Sequence, residues 1–325
     1  MSDFWQNKKV LVTGGGGFIG SHLCEELVNS GATVTSGDIK EGYLKESEYK
    51  NEIKFLKIDF FNLNDCVEKI KNFDIVMHLA AKVGGINYNM KYSADIFVDN
   101  LLITSNIIKA ITLNNIENVL LTSSACVYPA DASIPTKEEE GFKGIPEKTN
   151  EGYGWAKRML EIAGKQIFNQ YGINVAIVRP YNAYGPRDKF DIENAHVIAA
   201  LINKVFNNKD GKIEVWGSGE QTRTFLYVKD VVKGMMLAME KFAVAEPVNL
   251  GSDEEVKIKD LVQMIIELSG KKVEIVFNKN VPEGYKRRLA DTSLAREKLG
   301  FVAQWKLKDG LKETIEYYKN IFNVK

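Results

Sequence analysis

The sequence predicts an α/β fold, a doubly wound parallel sheet carrying a smaller lobe made of discontinuous stretches of chain. Three observations predict it. Short β-branched, apolar runs alternate with helical stretches from Lys9 to Arg179, the pattern of a sheet covered by helices on both faces. The first run enters a glycine-rich turn, Gly14-Gly15-Gly16-Gly17-Phe18-Ile19-Gly20, and leaves it as a helix. Past Pro180 the rhythm breaks into shorter pieces, and a chain of 325 residues exceeds what a single core usually holds.

Lys9 to Thr13 suits a buried strand, and an amphipathic helical stretch begins at Ser21. Between them, Gly14, Gly17 and Gly20 let the backbone approach a pyrophosphate, which the N–H groups and dipole at the helix start would hold. Their spacing differs from the commoner G-x-G-x-x-G, but strand, glycine turn and helix arrive in the order a Rossmann-type dinucleotide site requires. The second strand, Ala32 to Asp38, ends in an acid about twenty residues after the glycines. A carboxylate there accepts hydrogen bonds from ribose hydroxyls and repels a 2′-phosphate. Asp38 therefore predicts NAD over NADP, with Lys40 the one neighbour able to argue the other way. A third strand, Ile53 to Asp59, places Asp59 toward the adenine. A fourth, Asp74 to Ala81, ends in small residues that let backbone pass close to a cofactor, and its His78 reads as a packing residue rather than a base. Ser93 to Leu113 and Glu151 to Tyr171 read as long helices, and Val175 to Arg179 as the sixth strand.

Beyond Pro180, Ala195 to Phe206 reads as a helix, Lys212 to Trp216 and Arg223 to Tyr227 as strands, and Lys229 to Lys241 as a helix returning to the large domain. The expected division is a dinucleotide-binding domain over residues 1–180 and about 224–252, with a substrate lobe over about 181–223 and 253–325.

Tyr153 and Lys157 lie four residues apart, so on a helix they share one face. A free tyrosine, with a pKa of about 10, is a poor base at neutral pH, and a neighbouring ammonium favours the phenolate. Ser124, at the end of an apolar run upstream, can orient the same substrate oxygen.

Composition excludes several classes. Lys plus Arg equals Asp plus Glu at 43 each, with no basic cluster, which argues against nucleic acid as a partner. No signal peptide or membrane span is expected. Three cysteines without metal-ligand spacing suit a reducing cytoplasm and predict no metal. Cys24 and Cys66 fall at helical apolar positions and read as small buried hydrophobes.

Taken together, these motifs resemble the extended short-chain dehydrogenase/reductases of the sugar-nucleotide epimerase/dehydratase type, from Lys9 to about Gly300. The resemblance implies a catalytic Ser124, Tyr153 and Lys157, and a supporting Asn100 on the helix before the fifth strand. It implies cofactor contacts at Gly14, Gly17, Phe18, Ile19, Gly20, Asp38, Asp59, Phe60, Leu79, Ala80, Ala81, Tyr153, Lys157 and Tyr181. In this family the two long helices pair across a two-fold axis, so a homodimer is expected.

Three segments narrow the substrate. The family's 4,6-dehydratases carry an acidic pair where this chain has Ala125-Cys126, so water elimination lacks its proton donor. The runs Ala81-Lys82-Val83-Gly84-Gly85-Ile86, Ser124-Ala125-Cys126 and Asn182 through Asn194-Ala195-His196-Val197 resemble GDP-fucose synthases and, more loosely, GDP-mannose 3,5-epimerases. By that likeness Cys126 and His196 match acid/base positions, and Gly85, Ser124, Cys126, Asn182 and Val197 face substrate. Arg223 and Arg287 match diphosphate arginines. Trp216 packs on the base or fills the lobe core. Lys204, two turns beyond His196, shares its helix face or stays on the surface. Oxidation of carbon 4 to a ketone acidifies the protons on carbons 3 and 5, which a cysteine and a histidine, with ordinary pKa values of about 8.5 and 6.5, could remove and return. The expected activity is NAD-dependent oxidation or epimerisation at carbon 4 of a GDP-linked mannose-type sugar, with carbons 3 and 5 open to epimerisation. Fucose synthases are net NADPH reductases, and Asp38 argues against that cofactor. The alternatives are a 4-dehydrogenase of a GDP-sugar such as a GDP-heptose, a UDP-sugar 4-epimerase, or a non-catalytic dinucleotide-binding scaffold or redox sensor.

Overall fold

The computed structural model describes residues 3–191, 195–278 and 286–324, so Asn194 lies outside the described residues. The first half alternates as β1 (Lys9–Thr13), α1 (Phe18–Asn29), β2 (Thr33–Asp38), β3 (Lys54–Lys57), α2 (Leu63–Lys69), β4 (Ile75–His78), α3 (Ile86–Lys91), α4 (Ser93–Leu113), β5 (Asn118–Thr122), α5 (Glu151–Tyr171) and β6 (Asn174–Pro180). Then come β7 (Ala183–Tyr184), α6 (Val197–Asn207), β8 (Lys212–Trp216), β9 (Thr222–Thr224), β10 (Leu226–Tyr227), α7 (Val228–Lys241), β11 (Val244–Leu250), β12 (Glu255–Lys257), α8 (Ile258–Ser269), β13 (Glu274–Asn278), β14 (Arg287–Arg288) and α9 (Leu307–Phe322).

Seven strands form one sheet in the order β11-β6-β5-β4-β1-β2-β3, every pair parallel. The order reverses between β1 and β4, which opens a ligand crevice at the carboxyl ends of the strands. The strands read as continuous apolar runs because both faces are covered. In β1, Val10 and Val12 pack with Leu23, Leu27 and Met235 of α1 and α7. Leu11, between them, points the other way and packs with Ile103, Ile107 and Leu160 of α4 and α5. A separate core holds the lobe together, with Ile202, Leu261 and Leu311 drawn from α6, α8 and α9.

Three local expectations change. Helix α1 starts at Phe18 rather than Ser21, because the Gly17 amide already bonds the Gly14 carbonyl (3.0 Å) and closes the turn. Arg223 to Tyr227 is not one strand: Thr222–Thr224 pairs with β12 and β14, whereas Leu226–Tyr227 pairs with β7, so the chain changes sheets at the buried Phe225. Helix α4 is long and apolar enough to cross a membrane by length and composition, although no such run was expected. Its Ile96, Ile103, Ile107 and Ile111 are buried, which accounts for the apolar stripe as a core face.

Candidate active site

The crevice begins with the glycine turn. Gly14 adopts φ +71°, and a methyl group on it would lie 2.9 Å from the amide nitrogen of Ala80; a methyl on Gly20 would lie 2.1 Å from the Gly14 carbonyl oxygen. The turn, the start of α1 and the end of β4 thus touch backbone to backbone, leaving the helix-start amides open toward the crevice. The Thr13 hydroxyl accepts from the amides of Leu79 (3.1 Å) and Ala80 (3.2 Å) and lies 2.8 Å from His78 Nδ1. Its single proton therefore goes to His78, and burial pulls that imidazole down to about 3. His78 is a neutral part of the cradle.

Asp38 ends β2 with Oδ2 accepting from the Gly16 amide (3.1 Å) and Oδ1 from the Ile39 amide (2.7 Å), so its carboxylate is fixed beside the glycine turn. Burial raises its pKa, against the pull of those amides. Beyond β3, Asp59 Oδ1 accepts from the Phe61 amide (3.0 Å), and Phe60 is buried under α2 and α4. Asn100 is buried, and its amide exchanges bonds with both the N–H (3.0 Å) and the carbonyl (2.9 Å) of Lys82. It holds the loop that leaves β4 through Ala81 and reaches Gly85 at the start of α3. These residues fit a dinucleotide: a glycine cradle with no room for a side chain, a helix N-terminus and a placed ribose acid.

Tyr153 and Lys157 sit on the first turns of α5, with Lys157 Nζ 5.5 Å from the Tyr153 ring centre and donating to the Thr122 carbonyl (2.7 Å). Burial pulls the Lys157 ammonium down to about 8, against the opposing pull of Cys126 and Glu161. Burial likewise pushes the Tyr153 phenol up, and negative charge at Cys126 pushes it the same way. Desolvation thus dominates, and the shift runs opposite to the direction expected from helical spacing alone. In this state the phenol keeps its proton.

Ser124 follows β5, and its hydroxyl accepts from the Cys126 amide (3.1 Å), folding the serine and cysteine into one tight turn. The half-buried Cys126 thus lies close enough to Tyr153 and Lys157 to influence both. Gly154, next to Tyr153, is what lets α5 approach this turn: a methyl there would lie 2.4 Å from the Cys126 carbonyl oxygen and 2.6 Å from Pro146 Cβ. Sequence reading missed this glycine, although one beside a catalytic tyrosine on a helix marks close backbone approach. It also missed Glu161, one turn beyond Lys157, which accepts from the Ser123 hydroxyl and pairs with Arg179 through Nε (2.8 Å) and Nη2 (2.6 Å). Arg179 also donates to the Tyr128 hydroxyl (2.9 Å) and the Glu138 carbonyl (2.7 Å), which fills its fork inside the core. Ser123 is committed to that network, and Ser124 is left for the crevice.

On the lobe side, Tyr181 is buried against Tyr128, and Asn182, at φ +38°, donates to the Thr224 carbonyl (2.7 Å). His196 is the residue before α6, half-exposed, with Nδ1 3.1 Å from Oδ1 of the buried Asp188, whose charge raises the imidazole pKa. Val197, the first residue of α6, is exposed. Lys204 turns toward β8, donating to the Glu214 carbonyl (2.9 Å) with Nζ 5.7 Å from the Trp216 ring centre; burial lowers its pKa. The structure therefore joins Lys204 to Trp216, while His196 is engaged with Asp188.

The two arginines expected at the diphosphate separate. Arg287 is paired with Thr222 in register and bonded to Glu255 through Nε (2.8 Å) and Nη2 (2.9 Å). Arg288 is the register partner of Arg223 and sits over the Tyr181 ring at 5.7 Å. Side chains alternate along a strand, so Arg223 and Arg288 share one face of this small sheet and Arg287 lies on the other. The sequence points to Arg287 and reads Arg288 as a surface residue; the pairing register puts Arg288, not Arg287, on the face of Arg223.

A glycine cradle at a helix start beside Tyr153, Lys157 and Ser124 defines an extended short-chain dehydrogenase/reductase. The chain belongs to the NAD dependent epimerase/dehydratase family, whose model matches residues 10–251. It is 32% identical to GDP-mannose 3,5-epimerase of Arabidopsis thaliana over 97% of this chain and 84% of that protein, and 33% identical to GDP-L-fucose synthase of Sinorhizobium fredii over 96% and 95%. A UDP-glucuronic acid 4-epimerase variant from Bacillus cereus, solved with UDP-4-deoxy-4-fluoro-glucuronic acid and NAD, superimposes with a TM-score of 0.84 at 28% identity, covering 96% of this chain and 99% of that one. The protein is an NAD-dependent enzyme of the sugar-nucleotide epimerase and reductase class.

Proposed function

We propose that the enzyme oxidises carbon 4 of a GDP-linked mannose-type sugar and exchanges protons at carbons 3 and 5 through Cys126 and His196. The observation that carries this reading is the turn Ser124-Ala125-Cys126, which brings a thiol beside Tyr153 and Lys157 where a dehydratase would need an acid. Two relatives that cover most of this chain are named for GDP-sugars, which favours GDP.

NAD, when bound, supplies the acceptor for the carbon 4 hydride and a positively charged ring. Tyr153, protonated in the cofactor-free site, gives its proton to solvent as the Lys157 ammonium and the cofactor's positive charge favour the phenolate; it then takes the proton of the carbon 4 hydroxyl, and Ser124 orients that oxygen. Lys157 is itself steadied by the Thr122 carbonyl. With carbon 4 a ketone, a base at carbon 3 or 5 removes an acidified proton, and an acid on the opposite face returns one. Arg223 and Arg288 hold the diphosphate bidentately, and Trp216 with Val197 borders the base.

The test is incubation with GDP- and UDP-sugars in deuterated water, read by mass and NMR. Deuterium at carbon 3 or 5 of a GDP-sugar supports the proposal. Carbon 4 oxidation with no exchange beyond that of the free ketone makes the enzyme a plain GDP-sugar 4-dehydrogenase, with Cys126 and His196 as packing or binding groups. Inversion at carbon 4 of UDP-sugars alone makes it a UDP-sugar 4-epimerase.

A further inference from the structure

We propose that Asp188 is the positioning residue for His196, its buried carboxylate accepting the Nδ1–H and leaving Nε2 as the nitrogen that exchanges protons with the sugar. This rests on the acid/base reading of His196 given above.

Asp188 is 3% exposed, and a carboxylate so placed needs partners. It has the Lys189 amide at 2.8 Å and His196 Nδ1 at 3.1 and 3.4 Å from its two oxygens. The imidazole is half-exposed, so the nitrogen facing Asp188 is anchored while the ring keeps an open side. A histidine whose Nδ1–H is held by a carboxylate works through the other nitrogen.

The segment bearing Asp188 is pinned residue by residue. The Pro186 carbonyl lies 3.0 Å from His22 Nε2 on α1, and Arg187 Nη2 pairs with Glu25 of the same helix at 2.8 Å. Lys189 Nζ reaches the Val83 carbonyl at 3.2 Å, beyond β4. Arg187 holds φ +69°, a left-handed conformation that costs energy in a non-glycine residue and persists because its neighbours are fixed. The strap thus carries Asp188 from the cofactor helix to the lobe. The charges acting on His196 are Asp188, which raises its pKa, and Lys189, which opposes this. Tyr43, on the loop after β2, is near enough to feel Asp188, Arg187 and Asp191 of the strap.

The chain has three histidines, and burial pulls His22 to about 4 and His78 to about 3, whereas Asp188 holds His196 above the ordinary imidazole value, so its titration stands apart from theirs. The experiment is an imidazole NMR titration of the full-length protein, with Asp188→Asn and Asp188→Glu compared to wild type and NAD binding as the check on folding. Asp188→Asn should lower the His196 pKa and lose the Nδ1–H tautomer, and Asp188→Glu should retain a raised value. Deuterium exchange with GDP-mannose should then slow by roughly ten- to a hundredfold in Asp188→Asn, with the rise toward the basic form moved to lower pH by the same shift. An unmoved NMR titration overturns the pairing. A moved titration with an unchanged exchange profile overturns the positioning role. A wild type that shows the pairing but no exchange overturns the acid/base reading, and the positioning role with it.

Discussion

Replacing Gly154 by alanine tests how closely the two halves of the catalytic site must meet. In an ordinary helix interior this change would stabilise by about 1 kcal/mol, because alanine is the better helix former. Here the new methyl would lie 2.4 Å from the Cys126 carbonyl oxygen, a backbone atom inside the Ser124–Cys126 turn, and 2.6 Å from Pro146 Cβ. Neither neighbour can rotate away as a side-chain tip can. Relief to an ordinary contact demands a separation of roughly 1 Å between α5, carrying Tyr153 and Lys157, and the turn carrying Ser124 and Cys126. Overpacking of this kind costs about 1–3 kcal/mol, which cancels or exceeds the helix gain. A misplacement of about 1 Å commonly costs about a hundredfold in rate. Gly154→Ala should therefore lower turnover about a hundredfold while NAD affinity, set mainly by the glycine turn and Asp38, falls by much less. Gly164→Ala on the same helix is the control, since its methyl meets first the Leu121 Cδ1, at 2.6 Å, which can shift. The assay is kcat with the sugar nucleotide turned over in the panel, alongside NAD calorimetry and thermal unfolding. Turnover in Gly154→Ala equal to that of Gly164→Ala would refute the argument that close approach at Gly154 assembles the site.

Tyr153→Phe should cut turnover by about 10²–10⁴ with NAD binding nearly intact, and near-normal turnover would remove Tyr153 as the acid/base group. NAD should bind at least about tenfold, or 1.4 kcal/mol, more tightly than NADP; calorimetry showing parity would mean that Asp38 does not read the ribose. Arg288→Ala should weaken binding of a GDP-sugar more than Arg287→Ala, and the reverse order in a titration would contradict the shared face of Arg223 and Arg288. A homodimer is expected through α4 and α5, whose Val98, Leu102, Ile162 and Tyr171 are exposed; a monomeric mass in light scattering at micromolar concentration would count against it.

Much of the molecule was legible in the chain because it depends on local pattern. The β-branched runs of β1, β2 and β4, the glycine turn, and the 21-residue helices Ser93–Leu113 and Glu151–Tyr171 are written in periodicity and turn chemistry, which act over a few residues. So is the shared face of Tyr153 and Lys157. Other properties belong to no local stretch. That desolvation keeps the Tyr153 phenol protonated follows from burial, which many distant residues create together. That Arg288 and not Arg287 joins Arg223 follows from a strand register set by pairing across 65 residues. Asp188 meets His196 because a strap is pinned to α1 and to the loop after β4, and Gly154 matters only where α5 presses on the turn after β5. Sequence sets what each segment prefers, and contact between distant segments sets the dielectric, the register and the separations on which the chemistry depends.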